Sequence, residues 1–214
     1  MHLLFDYDGT LHETMKIYGP AFRLACANLA ARGFLQPRDY TDAEISYWLG
    51  FSTPEMWRRF LPELPPPEKE RSSRMVGGEM LRLVCAGQAA LYPQAEETLT
   101  ALRERGHTLL LLSNCRRAYL ESHVQAFGLD RFFSACYCCE EFGDIPKYDI
   151  FPLIRAQRPG DYVVIGDRVF DLEIAEKHGL PSVGCLYGYG NAEELSAATY
   201  RIASLPELLT LPFV

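Results

Sequence analysis

Beyond residue 85, short apolar runs alternate with amphipathic stretches. Residues 109–112 form one apolar run, which ends at Ser113-Asn114. Residues 135–138 end at Glu140-Glu141, residues 162–165 at Gly166-Asp167, and residues 182–186 in a glycine-rich turn. Short runs without a polar face predict strands buried on both sides, as in a parallel sheet. Between them, Ala95, Leu99 and Leu102 share one helical face before Gly106. Leu120, Val124 and Phe127 do so before Gly128, and Leu172, Ile174 and Ala175 before Gly179-Leu180-Pro181. A glycine just past the last apolar position is a common helix stop. A further apolar run, Leu3-Leu4-Phe5, opens the chain. Strand–helix alternation predicts an α/β fold with a doubly wound parallel sheet.

Residues 15–85 break this rhythm. Ala21, Leu24, Ala25, Leu29 and Ala30 pattern as a helix, as do Ile45, Trp48 and Leu49, and then Trp57, Phe60 and Leu61. Pro62 and Pro65-Pro66-Pro67 punctuate them, and a last helix runs from Glu68 into Val84. A direct strand-to-helix connection takes about 2–6 residues. The segment therefore reads as an inserted helical cap over 15–85, with the core formed by 1–14 and 86–214. Its aromatics, Trp48 and Trp57, are expected in the core of that cap.

The polar residues fall where such a sheet would gather them. Asp6 and Asp8 follow the first run, Ser113 and Asn114 the second, and Asp167 and Asp171 the fourth. Lys147 is expected in a loop after the Cys136 run. In parallel α/β sheets, ligands bind beyond the carboxyl ends of the strands. Neighbouring carboxylates repel and raise one another's pKa unless a cation lies between them. Carboxylates with substrate phosphate and water suit Mg²⁺. An aspartate can act as a phosphoryl-accepting nucleophile while a second carboxyl handles protons. A lysine and a hydroxyl would stabilise charge on the transferring oxygens. The set therefore points to phosphoryl transfer.

The sequence resembles the haloacid dehalogenase superfamily, in the phosphatase branch with a helical cap after the first strand. Asp6-Tyr7-Asp8-Gly9-Thr10 is similar to its first motif, Leu112-Ser113-Asn114 to the second, Lys147 to the third, and Gly166-Asp167-Arg168-Val169-Phe170-Asp171 to the fourth. The resemblance implies that Asp6 is the nucleophile and Asp8 the general acid and base. It implies Mg²⁺ held by Asp6, the backbone carbonyl of Asp8 and Asp167, with Asp171 in support, and the phosphoryl group bound by Ser113, Asn114 and Lys147. The segment from Gly184 to Leu195 resembles phosphoglycolate phosphatase-like proteins, and Gly166-Asp167-Arg168 a branch that includes 5′-nucleotidases. Sugar-phosphate phosphatase, β-phosphoglucomutase-like phosphomutase and non-catalytic phosphate-binding readings stay open. Tyr148 after Lys147 and Arg168 after Asp167 depart from the commonest motifs and leave the substrate open.

Composition narrows the alternatives. A net charge of −7 gives no basic footprint for nucleic acid, so the expected partner is a small phosphorylated metabolite. No run approaches the roughly 18 apolar residues of a membrane span. Asp6 and Asp8 interrupt any signal-peptide core, so a cytoplasmic monomer or homodimer is expected. Seven cysteines, an odd number, argue against a disulfide framework. Cys136, Cys138 and Cys139 lack a second ligand pair for zinc and read as small buried side chains. His12 reads as a hinge or surface residue. Arg168 is expected to pair with Asp171 or Glu173, or to meet substrate. Arg116 and Arg117 read as solvated, and the glycines at 184–190 as a turn or a phosphate loop.

Overall fold

The computed structural model describes residues 1–214. It divides into two compact units, residues 1–13 with 91–214, and residues 14–90.

The first unit begins with β1 (His2–Phe5). The second unit follows as four helices: α1 (Met15–Ala31), α2 (Asp42–Ser46), α3 (Thr53–Phe60) and α4 (Pro66–Cys85). The chain then returns to the first unit through α5 (Ala95–Glu104), β2 (Thr108–Ser113), α6 (Arg117–Phe127) and β3 (Phe133–Cys138). It finishes with α7 (Lys147–Gln157), β4 (Tyr162–Gly166), α8 (Val169–His178), β5 (Ser182–Cys185) and β6 (Tyr200–Ile202).

All six strands run parallel in the order β3-β2-β1-β4-β5-β6. Strand side chains alternate between faces, and here both faces are covered. Leu3, Phe5, Leu109, Leu111, Val163 and Ile165 pack with Leu99 and Leu102 of α5 and Leu120 of α6. Leu4, Leu110, Leu112 and Val164 pack with Ile150, Phe151 and Ile154 of α7 and Ile174 of α8. Two buried faces explain why the strands read as continuous apolar runs. The strand order reverses between β1 and β4, which places the ligand crevice of such a sheet at their carboxyl ends.

In the helical unit, α1 packs along α4 and against α2. Phe22, Leu29, Ile45, Trp57 and Leu83 are buried, with Trp48 half-exposed over Phe60. Thr41 caps α2 reciprocally with Glu44. No helix of the chain is long and apolar enough to cross a membrane.

Two elements differ from the sequence reading. Lys147 is not in a loop; it is the first residue of α7, with Pro146 as its N-cap. Pro146 has no N–H to lose at a helix start, and Pro152 lies within the helix, so two prolines concealed an ordinary helix from its pattern. The three-residue β6 at the sheet edge is too short to leave a pattern. All seven cysteines are free.

Candidate active site

Asp6 follows the last residue of β1, level with Gly166 of β4, and its N–H donates to the Ile165 carbonyl at 2.8 Å. Side-chain alternation sends Asp6 and Tyr7 to opposite faces. Asp6 meets the helix N-termini of the α7/α8 face, and Tyr7 joins the core beneath α5 and α6. Lys147 Nζ donates to Asp6 Oδ1 at 2.6 Å and to Asp171 Oδ1 at 2.7 Å, and all three residues are buried. Asp171 sits in the first turn of α8 and also accepts the Arg168 N–H at 3.1 Å through Oδ2. A carboxylate there is favoured by the helix dipole.

Asp167, at the end of β4, completes the group. Its Oδ1 accepts from Thr10 Oγ1 at 3.1 Å and its Oδ2 from the Tyr189 N–H at 2.7 Å. Three glycines, Gly9, Gly188 and Gly190, permit this packing. Gly9 holds φ at +88°, and a Cβ there would run into Asp167 Oδ2; a Cβ on Gly190 would overlap the Asp167 carbonyl oxygen. The glycine-rich turn thus gives its N–H to a carboxylate of its own chain.

Asp6, Asp167 and Asp171 bring ligand oxygens within 4.8 Å of one another. Opposite ligands of a Mg²⁺ ion lie about 4.2 Å apart, twice the usual metal–oxygen distance. Three buried carboxylates face one lysine, and the donors are all oxygen, so the residues fit a hard divalent cation. Without one, burial first, and then Asp171, push the Asp6 carboxyl up to about 7 despite Lys147. Burial, Asp6 and Asp171 drive Asp167 well above the carboxylate range. Burial opposes the Lys147 charge, but Asp171 and Asp6 outweigh it and raise its pKa.

Asp8 lies apart from that trio, against α6. Its Oδ1 accepts from Tyr119 Oη at 2.6 Å and lies 3.2 Å from His12 Nδ1. Burial opposes ionisation of Asp8, but His12 and Tyr119 prevail and lower its pKa. His12 is fully buried, not at the surface. His123 Nδ1 shares a hydrogen bond with Tyr7 Oη at 2.7 Å, and burial, then His12, lower its pKa to about 3.

Ser113 and Asn114 follow the β2 run as expected, with Ser113 buried and paired in register with Cys138. The Asn114 carboxamide oxygen accepts from the Cys139 thiol at 2.7 Å. The Arg168 Nε donates to Glu194 Oε1 at 2.8 Å, a partner outside the sequence expectation, while the Arg168 backbone N–H donates to Asp171. Arg116 pairs with Glu140 and Asp144, and Arg117 with Glu121 and Glu141, all at partly exposed positions. Tyr119 and His123 have no counterpart in the sequence reading, and Thr10 enters it only as part of the first motif. The one signal for the first two is their place at i and i+4 of α6, with Phe127 at i+8.

A family model described as haloacid dehalogenase-like hydrolase matches residues 3–185. The chain is 26% identical over 220 residues to a phosphoglycolate phosphatase of Vibrio vulnificus, covering 99% of this chain and 96% of that protein. It is 27% identical over 218 residues to a 5′-nucleotidase of Pseudomonas aeruginosa, covering 97% and 93%. The crystal structure of a protein from Haemophilus somnus, described as a predicted phosphoglycolate phosphatase, superposes with a TM-score of 0.79. It is 21% identical, with 97% of this chain and 96% of that one covered.

Proposed function

The chain belongs to the haloacid dehalogenase-like hydrolase family, and from that footing we propose that it is a Mg²⁺-dependent phosphatase of small phosphomonoesters working through an aspartyl-phosphate. The observation that carries this reading is the buried Asp6 carboxylate, held 2.6 Å from Lys147 Nζ among an all-oxygen carboxylate group.

Asp6, Asp167 and Asp171 would hold the ion, together with the Asp8 carbonyl. When bound, Mg²⁺ supplies positive charge against the phosphoryl oxygens and lets three carboxylates ionise together. Lys147 holds Asp6 in place and adds its charge beside the incoming dianion. An Asp6 oxygen attacks phosphorus, the phosphorus–oxygen bond to the leaving group breaks, and Asp8 gives that oxygen its proton. The phosphate dianion beside Asp8 raises its pKa, which is how a carboxyl otherwise held low comes to carry a proton. Asp8 then takes a proton from water as it attacks the aspartyl-phosphate, releasing inorganic phosphate and free Asp6. Ser113 and the backbone at Asn114 bind the phosphoryl oxygens.

The preferred substrate is a small phosphorylated acid such as phosphoglycolate, supported by the relatives that carry that activity in their names. A nucleoside monophosphate is the second reading, supported by the 5′-nucleotidase relative. A panel of phosphoglycolate, sugar phosphates and nucleoside monophosphates tests both by phosphate release with Mg²⁺. Hydrolysis of none of them would overturn the proposal, and isomerisation without phosphate release would point to a phosphomutase.

A further inference from the structure

The ring cluster beside Asp8 has no part in the chemistry above. Tyr7 and His12 come from the segment after β1, and Tyr119, His123 and Phe127 from one face of α6. Tyr7 lies flat on His12 at 5.3 Å with 5° between planes, and His123 meets Tyr119 at 4.1 Å and His12 at 4.6 Å. The Tyr7–His123 hydrogen bond of 2.7 Å ties the two segments together. Tyr7, His12 and His123 are fully buried.

Packing alone explains the rings but not the hydroxyl of Tyr119. A buried polar group costs stability unless it is bonded, and a phenylalanine would fill the same space. The hydroxyl instead donates to Asp8 Oδ1 at 2.6 Å, and His12 Nδ1 lies 3.2 Å from both that oxygen and the hydroxyl. Two partners converging on one oxygen fix the rotamer and the plane of a carboxyl. A phenol–carboxylate bond of this length is charge-assisted and about twice as strong as a neutral one.

We propose that Tyr119, braced by His12 and His123, is the positioning residue that holds the Asp8 carboxyl in the orientation required for proton transfer to the leaving group. This inference rests on the reading of Asp8 as general acid. It assigns Tyr119 no contact with substrate; it acts through Asp8.

The test compares kcat/KM for two leaving groups, because that ratio reports the steps up to leaving-group departure. One substrate is the alkyl phosphate hydrolysed best in the panel, whose alkoxide needs a proton. The other is 2,4-dinitrophenyl phosphate, whose phenolate departs without one. In Tyr119→Phe, kcat/KM for the alkyl phosphate is expected to fall about tenfold or more, and for the dinitrophenyl ester about fivefold less than that. His12→Leu, which removes the second partner, is expected to give the same pattern and serves if Tyr119→Phe does not fold. Equal losses with both substrates, or none with either, would overturn the proposal. Asp8→Asn separates it from its premise. If Asp8→Asn is leaving-group dependent and neither other variant is, only the positioning role fails. If Asp8→Asn itself shows no such dependence, the general-acid reading fails and the positioning role falls with it.

Discussion

Lys147 Nζ bridges Asp6 and Asp171, 2.6 Å from one carboxylate and 2.7 Å from the other, with all three side chains buried. The ammonium offsets two like charges that the fold would otherwise hold together in a low dielectric. Removing one partner of such a group typically costs about 3–5 kcal/mol, because the others stay buried and unpaired. Lys147→Met is expected to lower metal-free stability by that order and to cut kcat at least about 10²-fold. Chemical unfolding and steady-state kinetics measure the two effects. Saturating Mg²⁺ is expected to recover more stability in the variant than in the parent, and an equal gain in both would contradict the shared electrostatic origin.

The metal-free site also sets a pH dependence. Burial and Asp171 raise Asp6 to about 7, whereas an unfolded chain holds an aspartate near 3.9. Between these values the folded state keeps the proton and the unfolded state does not, so Asp6 makes metal-free stability fall as pH rises through that window. A Mg²⁺ ion held there would need the ionised carboxylates, so its binding would expel the proton. The rise in Tm on adding Mg²⁺ is expected to be larger at about pH 8 than at about pH 5. Asp6→Asn is expected to flatten that difference; the same Mg²⁺ shift at both pH values in the parent would refute it.

His123 gives the opposite slope. Its folded pKa, near 3, lies below the ordinary histidine value. Between about 3 and about 6.5 the unfolded chain binds the extra proton, so this residue costs stability as pH falls through that range. His123→Phe leaves the Tyr7 hydroxyl without this partner and is expected to lose about 1–3 kcal/mol at neutral pH. The variant's stability should also decline less steeply toward acid, by up to about 1.4 kcal/mol per pH unit. Urea unfolding between about pH 4 and 7 measures both. Parallel curves for parent and variant would show that His123 is not buried neutral.

The turn over Asp167 tolerates no side chain at Gly190, where a Cβ would overlap the Asp167 carbonyl oxygen. Gly190→Ala is expected to displace Asp167 and so weaken Mg²⁺ binding before it harms the core. The concentration of Mg²⁺ giving half-maximal activity should rise about tenfold or more, as is typical when residues supporting metal ligands are disturbed. An unchanged Mg²⁺ requirement would mean that the turn does not position Asp167.

Much of this site is legible in the sequence because strand ends converge by rule. Once 3–5, 109–112 and 162–165 read as buried parallel strands, Asp6, Ser113 and Asp167 fall at one edge of the sheet. Lys147 is harder to place, since Pro146 and Pro152 conceal the helix that Lys147 opens. The surroundings of Asp8 are not legible at all. They depend on ring contacts between the segment after β1 and α6, more than a hundred residues away, and only the spacing of Tyr119, His123 and Phe127 hints at a shared face. The contact of Arg168 with Glu194 is hidden for the same reason, because the two lie far apart in sequence.

In the proposed chemistry an oxygen of the Asp6 carboxylate receives the phosphoryl group. Rapid acid quench of the Mg²⁺-loaded enzyme with a ³²P-labelled substrate, followed by peptide mapping, tests it most directly. Transient label, stable to acid and lost in base, is expected on the peptide carrying Asp6, and none in Asp6→Asn. Turnover without protein-bound label, or label on another residue, would contradict it.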